Sequence, residues 1–416
     1  IVNFTFAGIR LAQGTNGAVI GGDRLVGNGL LGQGNLISQN YYGVFLENST
    51  TIDNLLAGNL LGTDVSGTIS RGNSMAGVVV ASGASQNRIQ DNLISGNDLT
   101  GIFIRDVQTT NNEVVGNLIG TDITGTVALP NGQNGIHILS APNNIIGGVT
   151  DSLQNIISGN TVYGVQVDGN GAVGNHILGN LIGLDTGGAT AVANEISGVY
   201  LGIGASGNVI GGDSPEEANV ISGNGRGGIE VVIADNNDIR GNLIGLNAAG
   251  LLPVGNGEFG ITVTANASSN LLQANVISGN NGHGVILGGS GTTNNDVLGN
   301  IIGLNSSETM VVGNSGAGIV INLQATNNRI GGYEEAETNI ISGNKDQGIW
   351  LASSGTTGQE LIGNKIGLDS SGTTIYPNGV GIVIDARASY NTVVNNEIAY
   401  NYNGGIVIGD SATLSQ

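Results

Sequence analysis

The chain has 416 residues, 75 of them glycine, 5 proline and none cysteine, and only 10 % are charged, against about 25 % in an average globular protein. Lys and Arg number 11 against 31 Asp and Glu, a net charge of −20 that repels phosphate backbones and anionic lipid surfaces, so nucleic acid is not expected as a partner. No apolar run approaches the ~20 residues of a membrane helix, so no membrane insertion is expected, and without cysteine there is neither a disulfide nor a Cys-based zinc site.

In chain order the predicted elements are short and repetitive. Residues 3–11, NFTFAGIRL, match the middle of a unit whose fuller copies follow, such as NSMAGVVV from Asn73. NLISQN at Asn35 opens a motif that recurs from residues 92 (NLISGNDLTGIFI), 155, 219, 275, 339 and 396, at intervals of 57, 63, 64, 56, 64 and 57. Between successive copies lies a second motif: GNLLGTD from Gly58, GNLIGTD from Gly116, GNLIGLD from Gly179, GNLIGLN from Gly241, GNIIGLN from Gly299 and GNKIGLD from Gly363. Each long unit is therefore two related coils. Within a coil, three alternating apolar runs are bounded by Gly, Asn or Asp, as in Leu93-Ile94, Gly101-Ile102-Phe103-Ile104 and Asn112-Glu113-Val114-Val115. Short period-2 runs between turn residues are strands, and none has the length or the 3.6 spacing of a helix. Three strands per coil predict an all-β, three-sided parallel β-solenoid of about thirteen coils, a single domain over residues 1–416. The unequal intervals come from the link before each NxI start, short in NRIQDN (87–92) and long in NVIGGDSPEEAN (208–219). The last run, NGGIVIGDSATLSQ, stops soon after a strand. Neither end carries a polar cap, so the chain is expected to belong to a longer one or to subunits stacked end to end in a filament.

Five residues after the NxI starts stand Asn40, Asn97, Asn160, Asn224, Asn280, Asn344 and Asn401, alternating with Asp64, Asp122, Asp185, Asn247, Asn305 and Asp369. Stacked one per coil, these side chains predict a ladder in which each amide donates to one neighbour and accepts from the other, with no Asp next to Asp. The TDxxGT loops also place Asp64, Asp122, Asp185 and Asp369 in an oxygen-rich setting on an acidic protein, which makes them calcium candidates. Two of the six copies carry Asn, and none has the dense DxDxD spacing of a dedicated site, so an Asx turn is the competing reading and no cofactor is expected otherwise. Four N-x-S/T sequons begin at Asn3, Asn48, Asn266 and Asn305.

The repeats resemble the right-handed parallel β-helix superfamily of pectate lyases and polygalacturonases. More closely, they resemble the NxISGN and GNxIGTD repeats of large bacterial exported surface proteins, over essentially the whole chain. That resemblance implies the fold. It leaves function open, because lyases, hydrolases, epimerases, adhesins and stalks share the scaffold. The polygalacturonase GHG motif occurs as Gly282-His283-Gly284, but its companions NTD, DD and RIK are absent, so His283 is read as a spacer residue. His137 and His176 fall on different faces and cannot act together, and no coil is expected to carry a matched acid and base.

One face stands out. The outward residue of the GIxI strand runs Phe45, Val79, Phe103, His137, Gln166, Tyr200, Glu230, Thr262, Ile286, Val320, Trp350, Val383 and Val407, mostly apolar where a solvated face would be polar. Either loops such as TDITGTVALPNGQ fold over it, or Phe45, Phe103, Tyr200 and Trp350 form an interaction face for another protein or a glycan. The expected function is a non-enzymatic extracellular or cell-surface stalk, adhesin segment or fibre subunit, with copies of itself, other surface proteins or glycans as partners. The alternative is a polysaccharide lyase, hydrolase or epimerase.

Overall fold

Each letter of NLISGN at residues 92–97 has its own place in the coil. Ile94 points inward and is fully buried, while Leu93 points outward on the same two-residue strand, Leu93–Ile94. The Ser95 hydroxyl accepts the Gly120 N–H of the next coil at 3.0 Å. Asn92 and Asn97 flank the strand at the two bends, each hydrogen-bonded to the asparagine one coil on. The six-residue strand Thr100–Arg105 then carries the core residues Ile102 and Ile104, and Glu113–Val115 closes the third side with Val114.

The computed structural model describes residues 6–27 and 29–409. Contacts divide the chain into two compact units, Ile1–Asn219 and Val220–Gln416. In the first unit the long strands stack in chain order from Ala7–Leu11 to Ser197–Leu201, the third-side strands from Val19–Gly21 to Val209–Gly211, and the short strands from Leu36–Ile37 to Leu181–Ile182. In the second, the long strands run from Gly227–Val232 to Ile406–Ile408, the third-side strands from Asp238–Arg240 to Thr392–Val394, and the short ones from Val220–Ile221 to Glu397–Ile398. Six short strands in the first unit and seven in the second make thirteen coils among the described residues. All pairings within each sheet are parallel and in register, as in Ile102↔Ile136, Val114↔Ile146 and Ile119↔Ile157. This register stacks like on like: Ile94, Ile119, Ile157 and Ile182 form one inward column without solvent exposure. The fold is an all-β, three-sided parallel β-helix. Its departures from strand and turn are single 3₁₀ turns in the long links, Asp151–Leu153, Pro215–Glu217 and Glu335–Glu337.

Three asparagine ladders, rather than one, run along the bends. Before the short strands, Asn35, Asn59, Asn92, Asn117, Asn155 and Asn180 each donate from Nδ2 to the next rung's Oδ1, at 2.8–3.1 Å. Before the third side, Asn54, Asn87, Asn112, Asn144 and Asn175 do the same. In the second unit that column continues through Asn270, Asn295 and Asn328, whose acceptor is Gln359. The column after the short strands contains the expected Asn40, Asn97, Asn160, Asn224, Asn280, Asn344 and Asn401. Its intervening rungs are Asn73, Asn131, Asn194, Asn256, Asn314 and Asn378. Asp64, Asp122, Asp185 and Asp369, with Asn247 and Asn305, are not rungs, which corrects the alternating column expected from the sequence. On these coils the chain leaves the helix and returns, closed by antiparallel bridges such as Thr63↔Ser70 and Thr121↔Ala128, so the residue nine positions later fills the slot.

Candidate functional site

The displaced acidic residues close their own loops. One oxygen of Asp64 accepts the N–H groups of Thr68 and Ile69 at 3.2 and 3.1 Å, and Ser66 donates its hydroxyl at 2.8 Å. Asp122, Asp185 and Asp369 repeat the pattern with the backbone four and five residues on. Asn247 and Asn305 do so equally well because the contact needs only an acceptor oxygen. The Ser66 hydroxyl and these amides hold the Asp64 carboxyl below the usual range. At Asp369 desolvation pushes upward, but hydrogen bonds from Thr374, Ser371 and Thr373 outweigh it and the pKa is lowered. Among the described residues no group of three or more His, Cys, Asp or Glu side chains converges to hold a metal ion. The Asn305 sequon is buried with its amide nitrogen on Ser307 and Thr309, whereas Asn48 and Asn266 are exposed; Asn3 lies outside the described residues.

The loops do not cover the outward GIxI face. They leave the coil at the end of a short strand and fold back onto the short-strand side: Val312 of one loop packs with Val276, Leu246, Leu243 and Ile301. Part of the GIxI face is covered by its own side chains, while Val407 is exposed and Phe103, Tyr200, Ile286, Trp350 and Val383 are half-buried. Phe45 and Val79, 4 % and 1 % exposed, pack with Ala76, Ala81, Tyr42 and Phe103. Phe103 stacks on His137 with centroids 5.0 Å apart, and Tyr163 stacks on Tyr200 at 4.6 Å, so the ring faces engage one another. Trp350 donates its indole N–H to Asp385 at 3.2 Å.

This face also holds a pair that the sequence did not reveal. His137 Nε2 lies 2.8 Å from Asp168 Oδ1, the Gln166 amide donates to Asp168 Oδ2 at 2.7 Å, and Asn134 donates to Gln166 Oε1 at 2.7 Å. Leu139 and Asp168 are register partners, which places the carboxylate one coil above the imidazole. The pair spans two coils, 31 residues apart, rather than lying within one. His176 opens an exposed position on another side. His283 opens the strand His283–Gly288, and its Nδ1 accepts the Ala317 N–H at 3.0 Å.

That last bond requires a neutral ring. Burial lowers the His283 pKa, opposed by the charge of Asp346. The unfolded chain then binds the proton more readily, near pH ~6.5, so the stability this group contributes is present above that pH and lost as pH falls toward the lowered folded value. Comparing urea midpoints of the parent and His283→Asn between pH 7.5 and 5 should show the parent losing more stability on acidification. Equal losses would mean that His283 is not held neutral by its rung.

The family model for the right handed beta helix region matches residues 180–366. Among solved structures, the A-module of mannuronan C-5 epimerase AlgE6 from Azotobacter vinelandii is similar at 16 % identity, over 90 % of this chain and 84 % of that one, with a TM-score of 0.52. The AlgE4 A-module from the same organism gives 16 %, 92 % and 85 %, with 0.44, and the Dettilon tailspike protein 15 %, 90 % and 60 %, with 0.46. No curated protein matches the sequence. At these identities the likeness is one of fold, and the fold is a right-handed parallel β-helix.

Proposed function

We propose that the chain is a non-enzymatic, extracellular or cell-surface β-solenoid serving as a stalk, adhesin segment or fibre subunit, within a longer chain or an end-to-end assembly. The observation that carries this reading is the use of the polar residues. The bend asparagines are committed to three ladders, and the loop acids to closing their own loops, so the residues that recur most build the coil. Surface proteins or glycans would dock on the variable outward positions, Phe103, Tyr200 and Trp350 among them, with Phe45 buried beneath its neighbours.

A second reading, a polysaccharide lyase, hydrolase or epimerase, is favoured by the His137–Asp168 pair. With Asp168 on Nε2, the Nδ1 lone pair could serve as a base. Cleaving or epimerising a uronate also needs charge neutralised at the carboxyl and an acid opposite. One assay separates the readings: the protein incubated with polymannuronate, alginate and pectate should yield neither unsaturated ends nor altered C5 configuration. Product formation that disappears in His137→Gln, with the melting temperature unchanged, would establish the enzymatic reading instead.

A further inference from the structure

An asparagine followed by glycine is open to attack by its own main chain, because glycine has no β-carbon to keep its nitrogen from the side-chain amide, and the two groups are already joined in one molecule. The chain carries ten Asn-Gly pairs; the one at Asn28 lies outside the described residues. The coil treats the others unequally. Asn131, Asn224, Asn256 and Asn378 are buried rungs of the ladder after the short strands. There the Nδ2 that would have to leave donates to the next rung. At two of them the attacking nitrogen is occupied as well, Gly132 donating to the Asn97 carbonyl at 2.9 Å and Gly257 to the Asn224 carbonyl at 3.0 Å. Asn134 is held by Gln166 and Tyr163, with the Gly135 N–H on the Tyr163 carbonyl. At the exposed Asn16 the Gly17 N–H is taken by the Ile52 carbonyl.

Asn170 is the exception. It is exposed, just after the strand Val165–Asp168, and with Gly171 it forms the middle of a turn closed by the Ala172 N–H on the Gly169 carbonyl at 2.9 Å. Among the described residues nothing accepts the Gly171 N–H, and neither N–H of the pair is tied to another coil. The exposed Asn281 and Asn403 are pinned from both sides. Their own N–H groups donate to the Asn256 and Gly379 carbonyls at 2.9 and 2.8 Å, and the carbonyls of Gly282 and Gly404 accept from Gly316 and Gly381. Attack requires the backbone to rotate until the glycine nitrogen faces the asparagine Cγ. Only at Asn170 is that rotation unopposed by a neighbouring coil.

We propose that Asn170 is a site of spontaneous deamidation in the folded protein, and that the ladder shields the rungs carrying the same dipeptide. The Gly171 nitrogen attacks Asn170 Cγ and loses its proton, the side-chain nitrogen leaves as ammonia, and a five-membered succinimide remains. Water then opens the ring at either carbonyl, giving aspartate or β-linked isoaspartate, with no oxidant or cofactor consumed. The product adds a negative charge two residues from Asp168 and, in the iso form, one carbon to the main chain of the turn. The proposal is independent of whether the solenoid is a stalk or an enzyme.

The test is incubation of the 416-residue protein at pH 8.5 and 37 °C, folded and in concentrated urea, followed by peptide mapping and enzymatic methylation of isoaspartate. The folded protein should gain one dalton first at Asn170. Asn131 and Asn256 should convert at least roughly tenfold more slowly, since a coil must open before they react. In urea the difference should vanish, and chains converted at Asn131 or Asn256 should refold in lower yield because a carboxylate then replaces a donor in the ladder. Asn170→Gln should remove the first mass gain of the folded protein while leaving the melting temperature unchanged. Conversion of Asn281 or Asn403 ahead of Asn170, rungs that keep pace with Asn170 in the folded protein, or an undiminished first gain in Asn170→Gln would each overturn the proposal.

Discussion

Asn160→Asp should lose roughly 3–5 kcal/mol of stability at pH 7, the scale of an unpaired buried charge, although it exchanges one NH₂ for one oxygen. Asn160 is fully buried. Its Oδ1 accepts from Asn131 at 2.9 Å, and its Nδ2 donates to Asn194 Oδ1 at 2.9 Å and to the Ile119 carbonyl at 3.2 Å. Aspartate keeps the accepting half and turns the donating half into an oxygen facing three oxygens, those of Asn194, Ile119 and Ser158. Burial and those acceptors raise the folded pKa of the new carboxyl above the unfolded ~3.9. Above pH ~3.9 the folded state then holds the proton more tightly than the unfolded one, so the penalty shrinks as pH falls from 7 toward 4. Asn160→Ala, which leaves the same acceptors unpaired without adding charge, should lose about 1–3 kcal/mol with little pH dependence. Urea midpoints at pH 7 and 4.5 would check this, and an Asn160→Asp protein within 1 kcal/mol of the parent at pH 7 would mean that the column does not act as a donor–acceptor chain.

The strands were legible because the period-2 runs and their Gly and Asn boundaries are local: Leu93-Ile94, Gly101-Ile104 and Asn112-Val115 became Leu93–Ile94, Thr100–Arg105 and Glu113–Val115. The ladder was legible on alternate coils only. A fixed offset of five residues finds Asn97 and Asn160, but on the coils between them it lands on Asp64 and Asp122, which sit in loops that leave the helix. Asn73 and Asn131, nine residues later, carried the signal that offset missed. Asn92 and its equivalents were seen as motif starts but not as a ladder, since a turn asparagine and a stacked one look alike until coils are superposed. What depends on two coils at once was least visible. His137 and Asp168 are 31 residues apart, and no local pattern in the sequence joins them. Which side the loops cover also escaped, because their apolar residues fit either outward face and only their exit from the short strand decides.

The same bend permits a test of why glycine stands where it does. Gly120 has φ +89°, and a β-carbon placed there would lie 2.3 Å from the Ser158 carbonyl oxygen and 2.4 Å from Asn160 Oδ1, both on the next rung. Two penalties should therefore combine in Gly120→Ala: the left-handed backbone, about 1–2 kcal/mol for a residue with a β-carbon, and overpacking against the adjoining coil, about 1–3 kcal/mol. Gly207 separates them. Its φ is +64°, and the nearest atom to an added β-carbon is Val173 Cγ1 at 3.7 Å, an ordinary contact, so Gly207→Ala carries the backbone term alone. Gly120→Ala should be the more destabilised by roughly 1–3 kcal/mol in urea, and amide exchange should quicken at Asn131, Ser158 and Asn160, whose rungs must part to admit the methyl group. Because a solenoid's stability is a sum over neighbouring coils, that opening should be local rather than global. If the two variants lost the same stability, glycine would be required at residue 120 for its backbone angle only, and the close approach of the next coil would contribute nothing.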